Sequence, residues 1–104
     1  MYLVVFRNRK RPDIDMEAYD AEADHMLDMA KTQKGFLSFK SYAADDGEVI
    51  ALSEWESESA ARAWGRVAEH RLAQAHGRDR YYASYTFYGC DNPRSHHFTA
   101  RDLL

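Results

Sequence analysis

The ten residues from Tyr81 to Cys90 (Y-Y-A-S-Y-T-F-Y-G-C) leave this chain few ways to fold. Alternation over this run predicts a strand with Tyr81, Ala83, Tyr85 and Phe87 on one side and Tyr82, Ser84, Thr86 and Tyr88 on the other. The segment from Tyr2 to Arg9 behaves in the same way. Tyr2, Val4, Phe6 and Asn8 point one way, and Leu3, Val5, Arg7 and Arg9 the other. An antiparallel sheet covered by helices on one face normally shows a polar second face. Here both faces carry large apolar groups. Burying them is worth roughly 25 cal/mol per Å2, so both are expected to be covered.

The rest of the chain supplies helices for only one of those faces. Arg11-Pro12-Asp13 breaks the first strand, and Asp13 or Asp15 offers an N-cap with Glu17 in the first turn. Met16, Tyr19, Ala23, Met26, Leu27 and Ala30 recur at helical spacing, which predicts a helix to about Gln33 with Gly35 as its C-cap. Phe36 to Tyr42 reads as a second strand, Asp45-Asp46-Gly47 as a hairpin turn, and Glu48 to Trp55 as a third strand. Ser57 caps the next helix, whose buried side is Ala60, Ala61, Trp64 and Val67. A kink is expected near Gly65 to Ala68, followed by a second helical piece from Glu69 to His76 that Gly77 stops. The order β-α-β-β-α-β is the ferredoxin-like α+β plan with an antiparallel sheet. A second copy, sheet against sheet, covers the remaining face most simply, so a two-fold homodimer is expected.

With 104 residues the chain is a single domain with a modest core. Residues 1–90 form the folded unit, and 91–104 are a polar tail that is either loose or laid across a partner. Net charge is −3 with both signs mixed, which gives no basic block for nucleic acid. No apolar run is long enough for a membrane span, and nothing at the start reads as a leader. The single cysteine, Cys90, suits a reducing compartment, so a cytoplasmic location is expected. Cys90, His96 and His97 match no zinc-ligand spacing, and no metal is expected.

The stretch from Ser53 to Tyr82 concentrates Trp55, Trp64, His70, Gln74, His76 and two tyrosines. Together with Gly35-Phe36-Leu37, Ser53-Glu54-Trp55-Glu56-Ser57, Ala63-Trp64 and Glu69-His70, it resembles the antibiotic biosynthesis monooxygenase (ABM) family over roughly Tyr2 to Cys90. That resemblance implies a dimeric α/β barrel with a cavity between each sheet and its helices. In the cofactor-free branch it implies oxidation of an electron-rich aromatic or polyketide-like substrate by molecular oxygen. Asn8, Trp64 and His70 are then the expected catalytic residues, with Phe6, Ser53, Gln74 and Tyr82 binding substrate. In the haem-degrading branch, an Asn, a Trp and a ligating His are needed. Asn8 and Trp64 match the first two, but the His position falls on Gln74. No cofactor is therefore expected. A haem protein using His70 or His76 instead, and a non-catalytic ligand-binding dimer, are the alternatives.

Each of these residues has a plainer reading. Trp64 is either a pocket wall or the main packing residue of its helix. Asn8 either meets substrate or pairs with backbone at the strand end. His70 and Gln74, four apart, share either a pocket wall or a solvated helix face. His76 suits the negative end of a helix better than a ligand role.

Overall fold

A computed structural model describes residues 1–74 and 77–104, with side chains outside 72–78. The elements are β1 (Tyr2–Lys10), α1 (Met16–Lys31), β2 (Phe36–Ala43), β3 (Val49–Trp55), α2 (Glu58–Gln74), α3 (Gly77–Tyr81) and β4 (Tyr82–Asp91), with a 3-10 turn at Arg101–Leu103. The four strands form one antiparallel sheet in the order β2-β3-β1-β4. This is the expected α+β, β-α-β-β-α-β architecture, and β2 and β4 are its edges.

The helix ends follow local chemistry. The Asp15 carboxylate accepts from the Ala18 N–H at 3.0 Å and starts α1. The helix ends at Lys31, two residues before the expected Gln33. Thr32 caps it, and its hydroxyl donates to the Met29 carbonyl at 2.7 Å. Gly35 is therefore not the cap. Its φ of +86° instead turns the chain into β2, where a Cβ would lie 2.6 Å from that of Ala60. Ser57 begins α2 as expected, accepting from the Ala60 N–H at 3.2 Å. Gly47, at φ +91°, closes the hairpin.

Two other expectations change. The second helix runs as one element from Glu58 to Gln74, where two pieces were expected. A short helix, Gly77–Tyr81, then precedes β4, so Tyr81 is buried at a helix end and is not the first strand residue.

The core sits at the start of β1. Trp55 is fully buried, and Ala30 from α1 and Ala61 from α2 close on it. Tyr2, Val4, Phe36, Ala60 and Trp64 pack around them. The Trp55 indole N–H donates to the Ser53 hydroxyl at 3.0 Å, so the buried ring leaves no donor unsatisfied. Glu22 on α1 takes Arg71 of α2 in a two-bond ion pair at 2.7 and 3.2 Å, which ties the two helices together. That guanidinium holds the Glu22 carboxyl below its usual range.

Gly35→Ala combines the positive φ with the contact to Ala60. It is expected to cost about 1–3 kcal/mol, read as a lower urea midpoint at unchanged m-value.

The chain exposes 7759 Å2, whereas a compact monomer of this mass exposes about 6,000 Å2. Its radius of gyration is 15.2 Å against an expected ~13 Å. Two features account for the surplus. The sheet face away from the helices carries Leu3, Val5, Ile50 and Leu52, flanked by the exposed rings of Tyr42 and Tyr88. The residues after Asp91 leave the domain through Asn92, at φ +46°, and hold Phe98, Leu103 and Leu104 exposed.

Candidate functional site

Between the helices and the far end of β1, the sheet carries a ladder of four rings. Phe6 on β1 stacks on Phe87 of β4, with centroids 4.4 Å apart. It meets Tyr82 edge-on and Tyr85 tilted, each at 5.6 Å. Tyr82 and Tyr85 contact each other at 5.6 Å, as do Tyr85 and Phe87.

Strict alternation would place Tyr82 on the opposite face from Tyr85 and Phe87. A register shift between Arg9 and Lys10 reverses that expectation. Arg9 pairs with Ser84 but Lys10 pairs with Tyr82, leaving Ala83 as the extra residue. A bulge of this kind moves every residue before it to the other face. It thereby adds a fourth ring to the ladder.

Polar groups gather at one end of the ladder. Asn8 is buried, with 3% of its surface exposed. Its Nδ2 donates to the Val49 carbonyl at 3.4 Å, and its Oδ1 accepts from the Lys10 ammonium. The same ammonium lies 4.7 Å from the centroid of Tyr19 on α1 and 5.4 Å from that of Tyr82. Tyr19 also meets Tyr82 edge-on at 6.1 Å and Tyr81 at 5.3 Å. Burial, followed by the neighbouring Tyr19 phenol, pushes the Tyr82 phenol well above the ordinary tyrosine range. Both effects favour the neutral, proton-bearing form of Tyr82.

Two clefts open beside this group. One of about 280 Å3 is lined by Arg11, Asp79, Tyr82, Ala83, Ser84 and Tyr85. The other, about 450 Å3, lies between Arg11, Asp13, Asp15, Ala18 and Asp79 to Tyr81. Arg11 is paired with Asp13 at 2.9 Å across their mouths.

The expected site residues fall into separate places. Asn8, Phe6 and Tyr82 come together in the ladder. Trp64 stacks on Trp55 at 6.3 Å. Trp55 lies six residues, about 20 Å, along β3 from Val49, the partner of Asn8. Ser53 has its hydroxyl engaged by the Trp55 indole. His70 is exposed on α2. The Gln74 side chain and His76 lie outside the described residues.

Lys10, Tyr19, Tyr85 and Phe87 join the site without having been singled out. A usable signal was present: a lysine closing a strand of apolar alternation, followed by a tyrosine on the buried stripe of the next helix. Among the described residues, no three His, Cys, Asp or Glu side chains group as a metal site. None of the described helices is long and apolar enough to cross a membrane.

A one-sided helical layer over a four-stranded antiparallel sheet, with an aromatic and amide-bearing site between them, defines a small ferredoxin-like α+β domain. The chain belongs to the antibiotic biosynthesis monooxygenase family, whose sequence profile matches residues 1–76. A protein of Bacillus subtilis (strain 168), the uncharacterized YqjZ, is 34% identical over 84 residues, which is 81% of this chain and 72% of its own length.

Solved structures share the fold. A monooxygenase from the gene ActVA-Orf6 of Streptomyces coelicolor, in complex with nanaomycin D, is 22% identical. The match has a TM-score of 0.70 and covers 95% of this chain and 92% of that one. A variant of SnoaB, a cofactor-independent oxygenase from Streptomyces nogalater, is 16% identical at a TM-score of 0.67, with 96% and 92% covered. The family match ends before β4, so Phe6, Asn8, Lys10 and Tyr19 lie inside it and Tyr82, Tyr85 and Phe87 beyond it.

Proposed function

We propose that this protein is a small monooxygenase that oxidises an aromatic or polyketide-like substrate with molecular oxygen. In this reading it acts without a tightly bound cofactor, as a cytoplasmic homodimer. The observation that carries it is the ring ladder of Phe6, Tyr82, Tyr85 and Phe87 ending on the buried amide of Asn8. Family membership and the similarity to two oxygenases of known naming support it.

A ladder of this kind offers an apolar wall of ring faces and edges to a polycyclic ring, with polar groups at one end to orient its oxygens. The chemistry needs no external electron donor. A ring methylene becomes a carbonyl, one oxygen atom enters the carbon and the other leaves as water. The substrate supplies all four electrons. The protein's tasks are to favour the deprotonated, electron-rich form and to hold it flat against the rings. The hydroxyl of the half-buried Tyr82, favoured in its neutral form, can donate to a substrate oxygen. Trp64 and His70 touch none of these groups in the described contacts, so the reading rests on the ladder and Asn8.

The test is oxygen uptake with 1,8-dihydroxyanthrone. Turnover is expected in the wild type and should fall by about tenfold or more in Phe6→Ala and Asn8→Ala, a range typical for lost positioning groups. Hemin should leave the spectrum unchanged. Wild-type uptake no faster than the uncatalysed rate, or a one-to-one hemin Soret shift, would overturn the proposal.

A further inference from the structure

We infer that Lys10 seats the negative charge of the bound substrate, which makes the ladder a site for flat aromatic anions such as phenolates and enolates. The inference rests on the aromatic-substrate reading above and sharpens it.

Charge compensation sets Lys10 apart. Arg7, Arg9, Arg11, Arg62 and Arg71 each sit against a carboxylate: Glu48, Asp46, Asp13, Glu58 and Glu22 respectively. Lys10 is half-buried, and among the described residues no carboxylate lies within ion-pair distance of it. What surrounds it instead is neutral. The Asn8 amide oxygen accepts one N–H, and the faces of Tyr19 and Tyr82 stand 4.7 and 5.4 Å away. A half-buried cation whose contacts among the described residues are an amide and two rings gains from an anion placed beside it. An ammonium carries three N–H donors, so the bond to Asn8 leaves donors for a ligand oxygen.

The second part is where such an anion would lie. Tyr82 pairs with Lys10 across the sheet and is in edge contact with Phe6, which stacks on Phe87. Phe87 is 60% exposed, so the far end of the ladder is open to a ring while the near end carries the charge. A flat molecule with an oxyanion at one edge matches both ends.

Two other cations line the neighbouring clefts, the exposed Arg80 and, beside Tyr82, Arg11. Arg11 is neutralised by Asp13, with Asp79 also drawing on it, and Asp79 lines the same cleft. An anion therefore gains more at Lys10 than at Arg11. Asn8 becomes a positioning residue in this arrangement. Anchored to the Val49 carbonyl, it fixes the ammonium at the edge of the ladder.

The test uses a dye that ionises visibly and is not consumed. 1,8-Dihydroxyanthraquinone changes colour on losing a phenolic proton, so its absorbance reports the protonation state of the bound molecule. Its pH titration on the wild type is expected to show the anion forming about one pH unit lower than in free solution, a tenfold preference for the anion. Lys10→Gln should abolish that displacement, and Lys10→Arg should retain most of it. Unsubstituted anthraquinone has no proton to lose and should bind the wild type and Lys10→Gln alike. This outcome separates loss of charge from loss of fold. A bound dye that titrates as in free solution, or equally in wild type and Lys10→Gln, overturns the role of Lys10 while leaving the aromatic site standing. Failure of both dyes to bind overturns the anion site and the aromatic-substrate reading together.

Discussion

Trp55→Ala is expected to cost about 3–5 kcal/mol, enough to leave much of the protein unfolded without denaturant. The magnitude follows from how little else is fully buried. Ala30, Ala61 and Tyr81 are the other buried apolar side chains among the described residues, and two of those three are alanines. Trp55 therefore fills the space where α1, α2 and the start of β1 converge, and its removal leaves a void that the surrounding side chains refill only in part. Removing it also orphans the Ser53 hydroxyl that now accepts the indole N–H. Trp64 provides the contrast. It is half-buried and stacks on the outer side of Trp55, so Trp64→Ala should cost markedly less. Urea unfolding followed by circular dichroism checks both. Equal losses at the two positions would mean that the core depends on both rings alike and that Trp55 is not its keystone.

The second large effect concerns the sheet face turned away from the helices. Leu52→Asp is expected to weaken self-association by more than about 100-fold, because the new carboxylate would lose its water on docking with no partner to compensate. Leu52 lies between Val5 on β1 and Lys40 on β2, in the middle of an apolar strip that includes Leu3 and Ile50. Around it stands a polar margin: Arg7 with Glu48 at 3.0 Å, Arg9 with Asp46 at 2.9 Å, and Ser38 with Glu54 at 2.6 Å. An apolar centre inside a polar rim is the usual anatomy of a protein interface. The surplus of about 1,700 Å2 over a compact monomer, shared between this face and the exposed residues after Asp91, leaves room for one protomer's share of an interface. Sedimentation at micromolar concentration should return the mass of two 12.1 kDa chains for the wild type and of one for Leu52→Asp. A wild-type sample that sediments as one chain would remove the homodimer from the proposed function.

Much of the framework was legible because it depends on short-range chemistry. The Asp45-Asp46-Gly47 turn, the Ser57 cap and the alternation of Tyr2 to Asn8 each state a local backbone preference, and each formed as expected. The site was harder to read, because its decisive event is a single extra residue. Nothing in Tyr81-Tyr82-Ala83-Ser84 marks Ala83 as the bulge; the marker is the pairing with Arg9 and Lys10, some seventy positions away. Counting by twos therefore sent Tyr82 to the wrong face, and with it the reason to look at Lys10. The two tryptophans illustrate a second limit. Both sit at sound packing positions, and only the tertiary arrangement decides that Trp55 is enclosed while Trp64 lies over it.

The open end of the ring ladder has a chemical price. Phe87 lies on an edge strand, and more than half of its surface meets solvent. If the proposed oxidation runs by single-electron transfer from the substrate anion to oxygen, a radical pair formed over such a ring is not caged, and part of the superoxide can diffuse away before it recombines with the substrate carbon. Some of the oxygen consumed would then appear as hydrogen peroxide, and the fraction lost would measure how well anything else, a bulky substrate included, roofs that edge.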